Sequence, residues 1–177
     1  MPEITNEVNL MLDPSKADPN MPPPDKFGVS DVTDLSWKNL LDAYSCTECG
    51  RCTSSCPANI TGKKLSPRKI MMDTRDRADE LGKAKDVNGA DYHDGKSLHD
   101  YISQEELLAC TTCNACVEAC PININPLEII FGMRQYQTLE KSNMPSEWAM
   151  MNSNIENNQA PWQFSPSDRA NWTNDII

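Results

Sequence analysis

Apolar residues recur at helical spacing in several stretches of this chain, and each stretch opens on residues suited to start a helix. The first begins near Asp34 or Ser36 and carries Trp37, Leu40, Leu41 and Tyr44 on one face up to Cys46, so these four are the expected core contribution. The second opens at Ser66-Pro67, an N-cap followed by a proline at the first helical position. It carries Ile70, Met71, Ala78 and Leu81 inward and is expected to stop at Gly82. The third starts from the capping box Ser103-Gln104-Glu105-Glu106 and delivers Leu107 and Leu108 to Cys110. The fourth opens at Asn125-Pro126-Leu127-Glu128 and continues through Ile129, Ile130, Met133 and Tyr136 to about Lys141. Before the third, Asn88-Gly89 and Asp94-Gly95 signal turns in an irregular excursion. His93 and His99 sit there and read as plain surface residues.

The stretches pair up. Leu40-Leu41 before Cys46 matches Leu107-Leu108 before Cys110. Cys56-Pro57-Ala58-Asn59-Ile60 matches Cys120-Pro121-Ile122-Asn123-Ile124, and Ser66-Pro67 ahead of Ile70 matches Asn125-Pro126 ahead of Ile129. Each half is helix, cysteine loop, proline, loop, helix. The expected fold is mostly α: two such units sharing one core in pseudo-twofold fashion over residues 31–142. Residues 1–30, with Pro2, Pro14, Pro19 and the run Met21-Pro22-Pro23-Pro24, read as an extended arm or linker, either free or strapped over the domain or a partner. Residues 143–177 are Asn-rich and carry Trp148, Trp162, Phe164 and Trp172 in weak periodicity, which suggests a strap packed on a surface or a neighbour.

Composition narrows the functional classes. The formal net charge of -10 argues against nucleic acid as a partner, because neutralising phosphate takes Lys and Arg. There is no apolar run of membrane-span length and no signal-peptide core near the N-terminus, so a cytoplasmic setting is expected. All 8 cysteines fall in two dense quartets, which favours metal binding in a reducing compartment over disulfides.

Both quartets read C-x2-C-x2-C-x3-C-P: Cys46, Cys49, Cys52, Cys56 with Pro57, and Cys110, Cys113, Cys116, Cys120 with Pro121. Zinc is usually served by two separated C-x2-C knuckles, and a structural zinc scaffold or adaptor is the competing reading. Three closely spaced thiolates on one loop suit three corners of a cubane, and in the bacterial-ferredoxin run the fourth cysteine ligates the other cluster. The expected cofactors are therefore two 4Fe-4S clusters with crossed ligation. One takes Cys46, Cys49, Cys52 and Cys120; the other takes Cys110, Cys113, Cys116 and Cys56. Full cysteine ligation leaves no iron corner open, and no catalytic residue or substrate site is visible.

The long, helical separation between Cys56 and Cys110 resembles the α-helical ferredoxin domain of succinate dehydrogenase iron–sulfur subunits, heterodisulfide reductase subunits and glycolate-oxidase-like iron–sulfur subunits. The matching pieces are the two cysteine runs, Ser66-Pro67-Arg68-Lys69, and the tail from Asn154 to Trp162. In the heterodisulfide-reductase-like members such a tail leads toward a cysteine-rich CCG domain. The resemblance implies electron transfer through two clusters, as the iron–sulfur part of a flavin- or quinone-linked respiratory oxidoreductase. It implies as partners a CCG-domain or flavoprotein subunit and a quinone-linked membrane subunit, with the chain cytoplasmic or peripheral at the cytoplasmic side of the membrane. Lys63, Lys64, Arg68, Lys69, Arg75 and Arg77 make a local basic patch beside the first loop, suited to docking an acidic partner or offsetting cluster charge. Met71, Met72, Met150 and Met151 read as core or interface filler.

Overall fold

The computed structural model describes residues 2–16 and 26–176; Pro19 and the run Met21–Pro24 lie outside the described residues. Two compact units emerge, Met1–Glu140 and Lys141–Ile177. Among the described residues every regular element is helical. None of these helices is long and apolar enough to cross a membrane.

In the first unit the halves interlock as near copies. Helix α2 (Trp37–Ser45) packs on α5 (Pro67–Asn88), and α6 (Gln104–Ala109) packs on α8 (Pro126–Gln135). The equivalent helices then meet each other across the centre: α5 against α8, and the short α3 (Arg51–Ser54) against α7 (Ala115–Glu118). Ser36 and Ser103 each close a capping box, with Asn39 and Glu106 as the third helical residues. Those same two residues also reach into the opposite half. The Asn39 amide donates to Glu128 at 2.8 Å, and Lys69 lies 2.9 Å from Glu106. One residue therefore does two jobs at each position, capping the start of a helix and joining the repeats.

The buried face of α2 differs from the one its apolar pattern predicts. Ala43 and Asn39 are buried and Leu40 is packed against the core, while Trp37 is 77% exposed and Leu41 and Tyr44 also face outward. The helix lies against both α5 and α8, and that corner takes a small residue and a hydrogen-bonding amide. Helix α5 also departs from expectation, passing Gly82 and ending at Gly89. An exposed interior glycine costs only about 1 kcal/mol relative to alanine, too little to stop a helix anchored by Ile70, Met71 and Leu81. The expected Ile129, Ile130 and Met133 of α8 are buried, and the helix passes into a π turn over Tyr136–Glu140.

The prolines of the first thirty residues predict an extended arm, yet Pro2–Leu12 is helical (α1) and Val29 belongs to the core. The Val29 N–H donates to the Gly132 carbonyl at 2.8 Å, and two glycines permit this contact. Gly28 has φ +74°, and a Cβ there would stand 2.3 Å from the Gly132 oxygen and 2.4 Å from the Tyr136 nitrogen. Both neighbours are backbone and cannot turn aside. Gly28→Ala is therefore expected to destabilise the domain by about 2–4 kcal/mol, from left-handed strain plus overpacking. An unchanged denaturant midpoint would contradict this packing.

Arg77 is misread by its charge. It belongs to no surface patch; its side chain is 1% exposed and pairs with Asp31 at 2.6 Å and Asp94 at 2.5 Å. It also donates to the Lys96 carbonyl at 3.0 Å, so one guanidinium ties the segment before α2 and the loop after α5 onto the helix. His99 likewise is half-buried rather than a plain surface residue. Its ring lies 3.1 Å from the Val29 carbonyl and stacks on Tyr136.

In the second unit the weakly periodic tail forms a helix, α9 (Ser146–Asn158), which ends at Gln159 in the left-handed region. The Asn154 amide is buried and donates to the Pro161 carbonyl at 3.1 Å, turning the chain back. A 3-10 helix follows over Pro166–Ile176. Trp162, Phe164, Trp172 and Met150 are largely exposed, and Trp148 and Met151 are partly so.

Candidate metal centre

Each cysteine run begins where a helix stops. Cys46 is the C-cap of α2 and Cys110 that of α6. The backbone then turns left-handed at the second residue after each: Glu48 at φ 59° and Thr112 at φ 58°. It does so again two residues later, at Gly50 (φ 81°) and Asn114 (φ 63°), which lead into α3 and α7. The two loops thus follow the same path. Glycine relieves the strain at one of these positions and asparagine, which tolerates this region, at its counterpart. Alternation of this kind directs amide groups into a shared concavity suited to negative charge. The Thr112 N–H accordingly points to Cys110 Sγ at 3.4 Å. Sequence alone shows this geometry only through Gly50; Glu48 and Thr112 carry no signal.

After three cysteines each run delivers the fourth onto a proline, and Pro57 opens the short helix α4 (Pro57–Ile60) behind Cys56. All eight thiols are free of disulfides. Among the described residues no three Cys, His, Asp or Glu side chains gather around a point that suits one ion. The thiols stand around cavities instead. One, of about 280 Å³, has Cys46, Cys49, Cys52, Cys116 and Cys120 on its wall. A second, far tighter at about 10 Å³, has Cys56, Cys110, Cys113 and Cys116. Three cysteines of one run and the last of the other therefore share each cavity, with Cys116 touching both.

Electrostatics follows the same division. Burial pushes the Cys52 thiol up, and the nearby Cys46 and Cys120 add to the rise. Burial likewise pushes up Cys110, beside Cys56 and Cys113. Cys116, which is buried, is pushed up to about 11, again first by burial. Sites of this kind favour neutral thiols until a cation compensates the thiolates.

Arginines support both loops from matching positions, nine residues after the N-caps Ser66 and Asn125. Arg75 pairs with Glu48 of the first loop at 2.9 Å. Arg134 donates to the Cys110 carbonyl at 2.6 Å and to the Leu107 carbonyl, and burial lowers its pKa. Of the expected basic patch, Arg77 is buried, Lys64, Lys69 and Arg75 are paired, Lys63 is exposed, and Arg68 stands on the wall of the first cavity. Arg51, not singled out in the sequence, stands there too.

The donor set fits iron–sulfur cubanes: eight thiols, with three of one run and the last of the other on each cavity wall and Cys116 on both, and an amide, the Thr112 N–H, aimed at a sulfur. Comparison with known proteins agrees. Residues 45–124 match the family model described as a 4Fe-4S dicluster domain, which implies two 4Fe-4S clusters. The chain is 30% identical to the "Probable iron-sulfur-binding oxidoreductase FadF" of Bacillus subtilis, over 84% of this chain and 25% of that protein. It is 31% identical to the EtfAB:quinone oxidoreductase of Syntrophomonas wolfei, over 86% of this chain and 24% of that protein. It is 32% identical to a ferredoxin:CoB-CoM heterodisulfide reductase subunit of Methanosarcina mazei, over 54% of this chain and 46% of that protein. The chain thus spans about a quarter of the first two relatives and under half of the third. Residues 45–124 are thus those of a 4Fe-4S dicluster domain, and the chain's relatives are iron–sulfur oxidoreductases and heterodisulfide reductase subunits.

Proposed function

We infer that this chain is an electron-transfer module of a flavin- or quinone-linked iron–sulfur oxidoreductase, with crossed ligation of its two clusters. Cys46, Cys49, Cys52 and Cys120 hold one; Cys110, Cys113, Cys116 and Cys56 hold the other. The observation that carries this reading is the sharing of each cavity by three cysteines of one run and the last of the other. Bound there, 4Fe-4S clusters supply one-electron transfer, with potentials set by charge, hydrogen bonds and exposure.

The chain's own residues supply position and environment. The paired left-handed turns hold the first three thiols of each run around a concavity, and Pro57 and Pro121 end the runs so that the fourth thiol serves the opposite site. Arg75 and Arg134 brace the loops from the helices behind them. Packing of α3 on α7 sets the two sites side by side, which short-range electron transfer requires.

The names of the relatives support the partner class: one acts on EtfAB and quinone, another is a heterodisulfide reductase subunit. The partner is accordingly a flavoprotein or CCG-type subunit, with a quinone-linked subunit downstream at the cytoplasmic side of a membrane. The test is chemical. Anaerobically purified protein should contain about eight irons and eight acid-labile sulfides per chain, with visible absorption bleached by dithionite. Stoichiometric zinc without sulfide would sink the reading in favour of a structural scaffold.

A further inference from the structure

Most basic residues around the first cysteine loop are already engaged. Lys69 meets Asp73 and Glu106, Arg75 meets Glu48 and Asp76, Lys64 faces Glu105, and Arg77 is buried between two aspartates. Arg51 and Arg68 differ. Both are exposed, both stand on the wall of the first cavity, and among the described residues neither takes part in an ion pair within 4 Å. The first turn of α5 holds Arg68 there. Its N–H donates to Thr53 Oγ1 at 3.4 Å, and that hydroxyl meets Ser66 Oγ at 2.8 Å. Its guanidinium reaches the loop, with Nη1 4.0 Å from where a Cβ on Gly50 would be.

Pro121 and Ile122, the latter 54% exposed, complete the same wall. Glu48, the one carboxylate there among the described residues, is held by Arg75 at 2.9 Å. Among the described residues the second cavity has no charged side chain on its wall. Thr112 and Asn114 of its loop instead border a cavity shared with Thr5, Val8 and Asn9 of α1. In a chain of net charge -10, one thiol-lined cavity thus carries an apolar wall flanked by two uncommitted guanidinium groups.

We propose that Arg51 and Arg68, together with Pro121 and Ile122 of the same cavity wall, form the docking face for an acidic redox-partner protein at the first site. Guanidinium groups match carboxylates in a planar, two-point manner, and an apolar centre with an arginine rim is the usual composition of a protein interface. The partner thereby meets the cluster held by Cys46, Cys49, Cys52 and Cys120, so the proposal rests on that reading of the cavity.

The test uses a decaglutamate peptide as the acidic probe. Calorimetry at low salt should detect its binding to the full chain, weakened roughly tenfold in Arg51→Glu/Arg68→Glu and by added salt. The control Lys16→Glu/Lys83→Glu changes the net charge equally and should bind as wild type does. Bound peptide should also slow oxidation of the dithionite-reduced protein by hexacyanoferrate(III), and fail to do so in the double arginine variant. Equal binding to both variants, binding that leaves oxidation unaffected, or preference for phosphatidylserine vesicles over the peptide would each overturn the docking face. Absence of iron and sulfide would instead overturn the cluster reading beneath it.

Discussion

Cys120→Ser is expected to strip the protein of the cluster held by Cys46, Cys49 and Cys52, although Cys120 lies more than sixty residues further along the chain. The sulfur removed belongs to the second run, but it stands on the wall of the first cavity with those three thiols. Iron content should fall from about eight to about four per chain. The consequence extends beyond one loop. With crossed ligation each cluster would join the two halves, and a site bound only by the folded chain adds its binding energy to folding. The variant should therefore lose thermal stability across the whole first unit. Measured unfolding should remain a single transition, shifted down, rather than dividing into one stable and one melted half. The reciprocal change, Cys56→Ser, should do the same through the second cavity.

Arg77→Met should be the most damaging substitution away from the cysteines. Methionine matches the length of the arginine stem but leaves Asp31 and Asp94 facing each other without the cation that each meets within 3 Å. Breaking a buried pair from one side costs about 3–5 kcal/mol. In a domain of this size that corresponds to a fall of roughly 10 °C in the melting temperature. The acid limb of the stability profile should change as well. The Arg77 guanidinium holds the Asp94 carboxyl well below the usual carboxylate range. A carboxyl depressed in the folded state contributes stability that is complete above its unfolded value, near pH 4, and is lost as pH falls toward the folded value. Wild-type protein should therefore weaken steadily below about pH 4. Arg77→Met, already without that contribution, should show a shallower acid slope. A variant as stable as wild type, with the same slope, would contradict the triad.

The sequence made the metal chemistry and the repeat legible because both depend on local, exact spacing. Ser36, Ser66-Pro67, Ser103 and Asn125-Pro126 start helices where they stand, since caps act within a turn. What it hid depends on distant partners. Trp37, Leu41 and Tyr44 form an apolar stripe, yet α2 turns its small Ala43 and polar Asn39 inward because two other helices close on that side. Arg77 looked like one of several surface cations until Asp31 and Asp94, 46 and 17 residues away, were brought to it. The arm before α2 offered little periodicity, and its docking rests on the mutual fit of Gly28 and Gly132. In the site itself the ligand types were evident, whereas the left-handed residues Glu48, Thr112 and Asn114 were not, because only a glycine announces such a turn.

The crossing of the two runs is tested most directly by EPR of reduced single-cysteine variants, which needs no prior assignment of signals. If the account holds, Cys120→Ser loses the same signal as Cys46→Ser and keeps the one that Cys113→Ser loses. If Cys120→Ser instead loses the signal lost by Cys113→Ser, each run binds its own cluster and the crossed arrangement is wrong.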